Sequence, residues 1–240
     1  SLVFYGLTDR GPNTDSPAPV TAADGTVYAA SKAFPLPEFV PKFVEITVQN
    51  GKAVVTKATD LKASSASSMS GLPLPSGTTG NTGEISLNAT LTASPGFSPN
   101  GIDPEGIDSD ANGKLWVSDE YGPFIAMVNP TTGIVERKYI PGDTTYPLPD
   151  MLKNRVPNRG MEGLAIDRTT GLVYAIVQTP LDTNADGDGD DLYLTMVELN
   201  PASGVVNLYA VNYDKYVKNT NPNGFKAKKI KAGDLMSLGN

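Results

Sequence analysis

Glu105-Gly-Ile-Asp-Ser-Asp-Ala-Asn-Gly-Lys-Leu-Trp-Val-Ser-Asp-Glu120 aligns with Glu162-Gly-Leu-Ala-Ile-Asp-Arg-Thr-Thr-Gly-Leu-Val-Tyr-Ala-Ile-Val-Gln178. In each copy an acidic residue and a glycine open a short strand. A turn follows, and a second strand then carries an aromatic, Trp116 or Tyr174. A looser copy opens the chain, where Val3-Phe-Tyr-Gly-Leu-Thr-Asp-Arg10 reads as the second strand alone. Downstream, Val128-Asn-Pro-Thr-Thr-Gly-Ile-Val135 echoes Glu198-Leu-Asn-Pro-Ala-Ser-Gly-Val-Val206. Short strands repeated with turn punctuation predict an all-β chain and, within that class, a β-propeller.

The clearest blade is expected as strands Leu164–Asp167, Leu172–Val177, Leu192–Leu199 and Val205–Val211. The preceding one reads Gly106–Asp108, Leu115–Ser118, Ile125–Val128 and Ile134–Tyr139, with a long exit and one helical turn at Leu148–Lys153. The first blade is expected from Val3–Thr8, Phe43–Gln49 and Ala53–Ala58, interrupted by a Pro-rich excursion from Gly11 to Pro41. The Ser/Thr/Gly-rich stretch Ala63–Gly83 carries Met69 and Leu72, so it is expected to cover the domain rather than to link two. A strand pattern follows at Ile85–Leu91. Trp116 and Tyr174 are expected in the blade core. About three blades are visible where closed propellers have about 4–8, so the ring is expected to be incomplete. Residues 1–240 are read as one propeller domain, an internal piece of a longer chain that starts inside a strand and ends on the lead-in to another.

Composition narrows the chemistry. The chain has no His and no Cys, which removes thiolate nucleophiles, sulfur- or His-ligated metals and the Ser-His-Asp triad in its usual form. Catalysis must then rest on carboxylates, Arg, Lys, Tyr or a hard cation. A net charge of -7 without a basic stripe argues against a nucleic-acid partner. The basic cluster Lys226–Lys231 reads as a solvated strand or loop edge. No apolar run reaches the roughly 18 residues that a membrane span needs. Oligomeric state leaves no mark on the sequence.

In an antiparallel hairpin the start of the first strand and the end of the second share one edge. Glu105 and Glu162 precede first strands, while Asp9-Arg10, Asp119-Glu120 and Gln178 follow second strands. All are expected on one face near the axis. Carboxylates crowded there would bind a cation or push one another's pKa up. The alternative is that they only make turns and rim hydrogen bonds between blades. Arg10, Arg155 and Arg159 could hold phosphate or carboxylate oxygens bidentately, or could simply pair with the neighbouring acids.

Asp182-Thr-Asn-Ala-Asp-Gly-Asp-Gly-Asp-Asp191 matches D-x-N-x-D-G, the first half of a calcium loop. Asp182, Asn184, Asp186, Asp188, Asp190 and Asp191 are the expected oxygen ligands for Ca²⁺. Tyr193 stands where an EF-hand has a bidentate Glu, and strands flank the loop, so a calcium-binding turn is expected rather than an EF-hand. A merely solvated acidic turn is the competing reading.

Leu7-Thr-Asp-Arg-Gly11, Asp103-Pro-Glu-Gly-Ile107, Leu115-Trp-Val-Ser-Asp-Glu120 and Asn158-Arg-Gly-Met-Glu-Gly-Leu-Ala165 occur in that order. Together they resemble the phytase-like domain family, known as "esterase-like activity of phytase" proteins, over nearly the whole chain. The resemblance implies an exported propeller, secreted or periplasmic, that acts on a small anionic ester by phosphoric-ester or other ester hydrolysis. The β-propeller phytases themselves work through several calcium ions. Asp9, Arg10, Glu105, Asp119, Glu120, Arg159 and Glu162 are the candidate catalytic residues, with Glu162 as general base. A non-catalytic, calcium-stabilised propeller that binds a ligand or protein is the alternative.

Overall fold

The Asn-Pro-x-x-Gly echo is one turn built twice. Asn129 Oδ1 accepts the Thr131 and Thr132 N–H groups, and Asn200 Oδ1 accepts those of Ala202 and Ser203. Each turn closes with a glycine N–H on the asparagine carbonyl, Gly133 at 2.9 Å and Gly204 at 2.8 Å. Both glycines have φ of 74°, the left-handed region that a side chain disfavours. The Asp110–Gly113 turn is held by Asp110, whose Oδ1 accepts the N–H groups of Asn112 and Lys114 while Oδ2 accepts the Trp116 indole.

The computed structural model describes residues 2–17, 19–189, 192–213 and 230–238. Three sheets carry the architecture. The first orders Leu2–Leu7, Lys42–Gln49 and Lys52–Asp60. The second orders Pro104–Ser109, Leu115–Asp119, Phe124–Val128 and Val135–Pro141, with a short parallel strand, Pro147–Leu148, at its outer edge. The third orders Met161–Asp167, Leu172–Val177, Tyr193–Leu199 and Val206–Asn212. Neighbouring long strands are antiparallel and consecutive in sequence within the second and third sheets. The chain is thus all-β with one 3-10 turn, Asp150–Asn154, and none of these sheets closes on itself among the described residues.

Side-chain alternation with period two decides which faces meet. Leu115 and Val117 join Phe43, Leu61, Met69 and Ile102 in one core. Trp116, one residue over, joins Tyr139, Leu164, Val173 and Val197 in another. The middle sheet is therefore covered on both faces, and each fully buried aliphatic or aromatic side chain contributes about 1.5–3 kcal/mol. Met69, Leu72 and Leu74 are buried, so the 63–83 stretch is a covering layer. Among the described residues no helix is long and apolar enough to cross a membrane.

Some expectations shift. The Ile85–Leu91 strand shrinks to Ser86–Leu87, paired parallel with Lys32–Ala33. It stops because Asn88 turns the chain, its Oδ1 accepting the Thr92 N–H, and Leu91 has φ of 57°. Tyr174 is not core: it is half-buried, and its hydroxyl donates to Glu198 at 2.9 Å. Leu2–Leu7 pairs only with Lys42–Gln49 among the described residues, and Leu2, Val3 and Phe4 are exposed.

Candidate functional site

The repeated Glu-Gly pair has a structural meaning. In the second sheet the ladder slips between Pro104 and Ile107, so Glu105-Gly106 forms a bulge. In the third sheet it slips between Met161 and Leu164, which places Glu162-Gly163 in the same position. A bulge bends its strand and re-aims a side chain, and here both re-aimed groups are glutamates. Gly106 also lets the two sheets approach. A Cβ there would lie 2.7 Å from the Leu164 nitrogen and 2.8 Å from the Glu162 carbonyl oxygen. Ser118 stitches the contact, accepting the Gly106 N–H at 2.9 Å and donating to the Glu162 carbonyl at 2.8 Å.

At this edge Asp103, Glu105 and Glu120 place one carboxylate oxygen each within 4.8 Å of one another. Asp103 and Glu120 are buried and Glu105 is partly so. Burial pushes Glu105 up to about 8, with Glu162, Glu120, Asp9 and Asp119 adding repulsion. Burial likewise raises Glu120 to about 7; Glu162 adds to this, while Arg159 and Arg10 oppose it. Asp103 is also held above the ordinary carboxylate range by burial, against the pull of Arg10. Glu162 is raised by burial and eased by Lys231 and Arg159. Such a group needs either retained protons or a cation.

The residues fit a hard cation. The donors are all oxygens, as calcium prefers. Gln178 donates its amide N–H to Glu120 at 3.0 Å, and its Oε1 is buried beside that carboxylate without a hydrogen-bond partner. One further acceptor is therefore left beside the carboxylate group.

The other candidates divide by depth. Arg10 is buried, with Nε 3.2 Å from Asp103, Nη1 2.7 Å from Glu84, and its backbone N–H on Asp103 at 3.0 Å. Its guanidinium also lies over the Phe34 and Tyr121 rings. Asp119 is fully buried and accepts the backbone N–H groups of Asp103 at 3.1 Å and Gly122 at 2.7 Å. Burial raises it to about 6, against Lys138 and those N–H groups. Arg10 and Asp119 thus brace the cluster from behind. Asp9 is exposed at the mouth, and its Oδ1 accepts the Gly11 N–H at 2.7 Å. Arg159 stands at the opposite side, 37% exposed and 3.5 Å from Glu120. Arg155 donates to the Tyr121 and Asn81 carbonyls and acts on the acids only through its charge near Asp119.

A family model described as phytase-like, "Esterase-like activity of phytase", matches residues 3–240. The chain belongs to this family. An uncharacterized secreted protein of Arthroderma benhamiae is 31% identical over 109 residues, 36% of this phytase-like chain and 21% of the relative. The match thus spans about a fifth of that relative's length. A crystal structure of a catalytically inactive virginiamycin B lyase from Staphylococcus aureus with quinupristin covers 88% of this chain and 75% of its own. The two share 14% sequence identity at a TM-score of 0.25.

The acidic loop of the phytase-like chain lies apart in character. Asp182 accepts the Asp186 and Gly187 N–H groups, Asn184 that of Asp186, and Asp186 that of Asp188. Asp190 and Asp191 lie outside the described residues. Asp103 is the site residue that the sequence reading did not assign. Its signal was the Asp103-Pro-Glu105 spacing at a strand start, which sets two carboxylates at one edge.

Proposed function

We propose that this phytase-like chain is one β-propeller domain, with the three sheets as successive blades, and that it hydrolyses phosphoric esters with calcium. The observation that carries this reading is the convergence of Asp103, Glu105 and Glu120 within 4.8 Å, beside an accessible Arg159. Asp103, Glu105 and Glu120 would hold the cation, with Gln178 Oε1 beside them. Bound calcium supplies Lewis-acid stabilisation of the charge that develops on the phosphoryl oxygens. Arg159 orients the anionic oxygens of the ester. Glu162, kept basic by partial burial, accepts the proton of the attacking water. Arg10 fixes Asp103, Asp119 fixes the Asp103 backbone, and Asp9 adds negative charge at the mouth. Asp182, Asn184, Asp186 and Asp188 would form a second, stabilising calcium turn. The substrate is a small anionic ester, and the secreted relative supports an exported, secreted or periplasmic location.

Replacing Glu105 and Glu162 by Gln tests the reading. Metal-dependent turnover of p-nitrophenyl phosphate should disappear in both variants, and unchanged turnover removes the site. A second reading is a non-catalytic binding propeller in which calcium only rigidifies the acidic loop, where Asp182, Asn184 and Asp186 gather their oxygens at one turn. It predicts a chelator-induced drop in melting temperature with no hydrolysis to lose.

A further inference from the structure

We infer that Arg159, Lys231 and Thr179 form a metal-independent seat for a dianionic phosphate group, with Lys231 the residue that selects phosphate monoesters over uncharged esters. The inference rests on the ester-site reading above and names the substrate class of that site. A cleft of about 460 Å³ opens beside the carboxylate cluster, lined by Arg159, Thr179 and Lys231 against an apolar wall of Val156 and Pro157. Asp188 adds one carboxylate to the lining, so the cations outnumber the anions.

Each of the three residues has unused capacity. Arg159 makes a single long contact, 3.5 Å to Glu120, and leaves most of its fork free for a bidentate partner. Lys231 makes no ion pair or hydrogen bond among the described residues, yet lies near enough to Glu162 to favour its charged form. Thr179 is 3% exposed, and its hydroxyl is buried without a partner. A donor left idle at such a position is uncommon in a folded chain. Two cations and a hydroxyl donor match a phosphate dianion; an uncharged carboxylic ester offers neither cation a full negative charge.

The chain holds Lys231 there by design of its backbone. The Ala232 N–H donates to the Gln178 carbonyl at 2.8 Å. Gly163 of the repeated Glu-Gly pair leaves room for the segment, since a Cβ there would lie 2.4 Å from the backbone of Asp234 and Leu235. The second glycine of the cassette thus seats this strap, as the first seats the neighbouring sheet.

Titration calorimetry of inorganic phosphate into the full chain, in excess chelator and at constant ionic strength, tests the seat without requiring turnover. The wild type should bind phosphate, and Lys231→Gln should weaken it by about tenfold, the loss of one charge-assisted contact. Lys231→Arg should restore most of the affinity, and Thr179→Val should lower it less. With calcium present, Lys231→Gln should raise KM for p-nitrophenyl phosphate more than it lowers kcat. Equal phosphate affinity in wild type and Lys231→Gln, or no binding by the wild type, overturns the proposal. Lys231-dependent phosphate binding in a chain that turns over no ester upholds the seat and refutes the hydrolytic reading alone.

Discussion

Two groups of acids in this molecule meet the same electrostatic problem in opposite ways. In the 182–188 loop the carboxylates are neighbours in sequence, Asp186 exposed and Asp182 and Asp188 half-buried, and Asp182 and Asp186 accept backbone N–H groups no more than five residues away. Partial solvent exposure and local donors disperse their repulsion. Asp103, Glu105 and Glu120 instead meet across a hairpin, beside Arg10 from the first sheet and Glu162 from the third. Buried there, they cannot all ionise without a counter-charge, and their protons are held to higher pH. Acidic density alone does not raise a carboxylate's hold on its proton. Burial among distant partners does.

The strongest way to break this contrast is mutation of the buried group. Glu162→Gln should cut kcat for a model phosphate ester by about 10²–10⁴, the range for losing a general base. Glu105→Gln should reduce metal-dependent turnover to background and weaken calcium binding measured by calorimetry.

Next comes the brace. Asp119→Ala strands the buried N–H groups of Asp103 and Gly122, at about 1–3 kcal/mol for each unpaired donor. Melting temperature should fall markedly, and Asp119→Asn should recover part of the loss.

The pH dependence sharpens the contrast further. Glu105 and Glu120 move from an ordinary 4.5 to about 8 and about 7, and Asp119 from 3.8 to about 6. The folded chain therefore holds protons that the unfolded chain releases. This stability is fully present below the ordinary values and is lost as pH rises through about 6 to 8. In chelator, the melting temperature should decline across that window, and calcium should flatten the decline. A flat profile instead would place the carboxylates in solvent. The smallest effect is expected from the loop: Asp186→Ala should trim the calcium-induced gain in melting temperature by a few degrees while turnover at saturating calcium stays unchanged.

The site was partly legible before the fold. Glu105, Glu120 and Glu162 were read from strand polarity alone, because a hairpin fixes which ends share an edge. Asp103 escaped, since the Asp103-Pro-Glu105 spacing puts it at the strand edge but its burial beside Arg10 comes only with the fold. Arg155 ends on the Tyr121 and Asn81 carbonyls rather than on the acids. Lys231, expected on a solvated edge, lines the cleft because Gly163 admits its segment.

The amino-acid sequence alone determined the strand pairs, their turns and the edge to which the glutamates belong, because alternation, glycine conformation and hairpin geometry act over a few residues. Tertiary structure decided which carboxylates are buried and how strongly they hold protons. It also separated the arginines that brace from the one left accessible. Those properties depend on desolvation and on charges contributed by other sheets, and no local pattern encodes either.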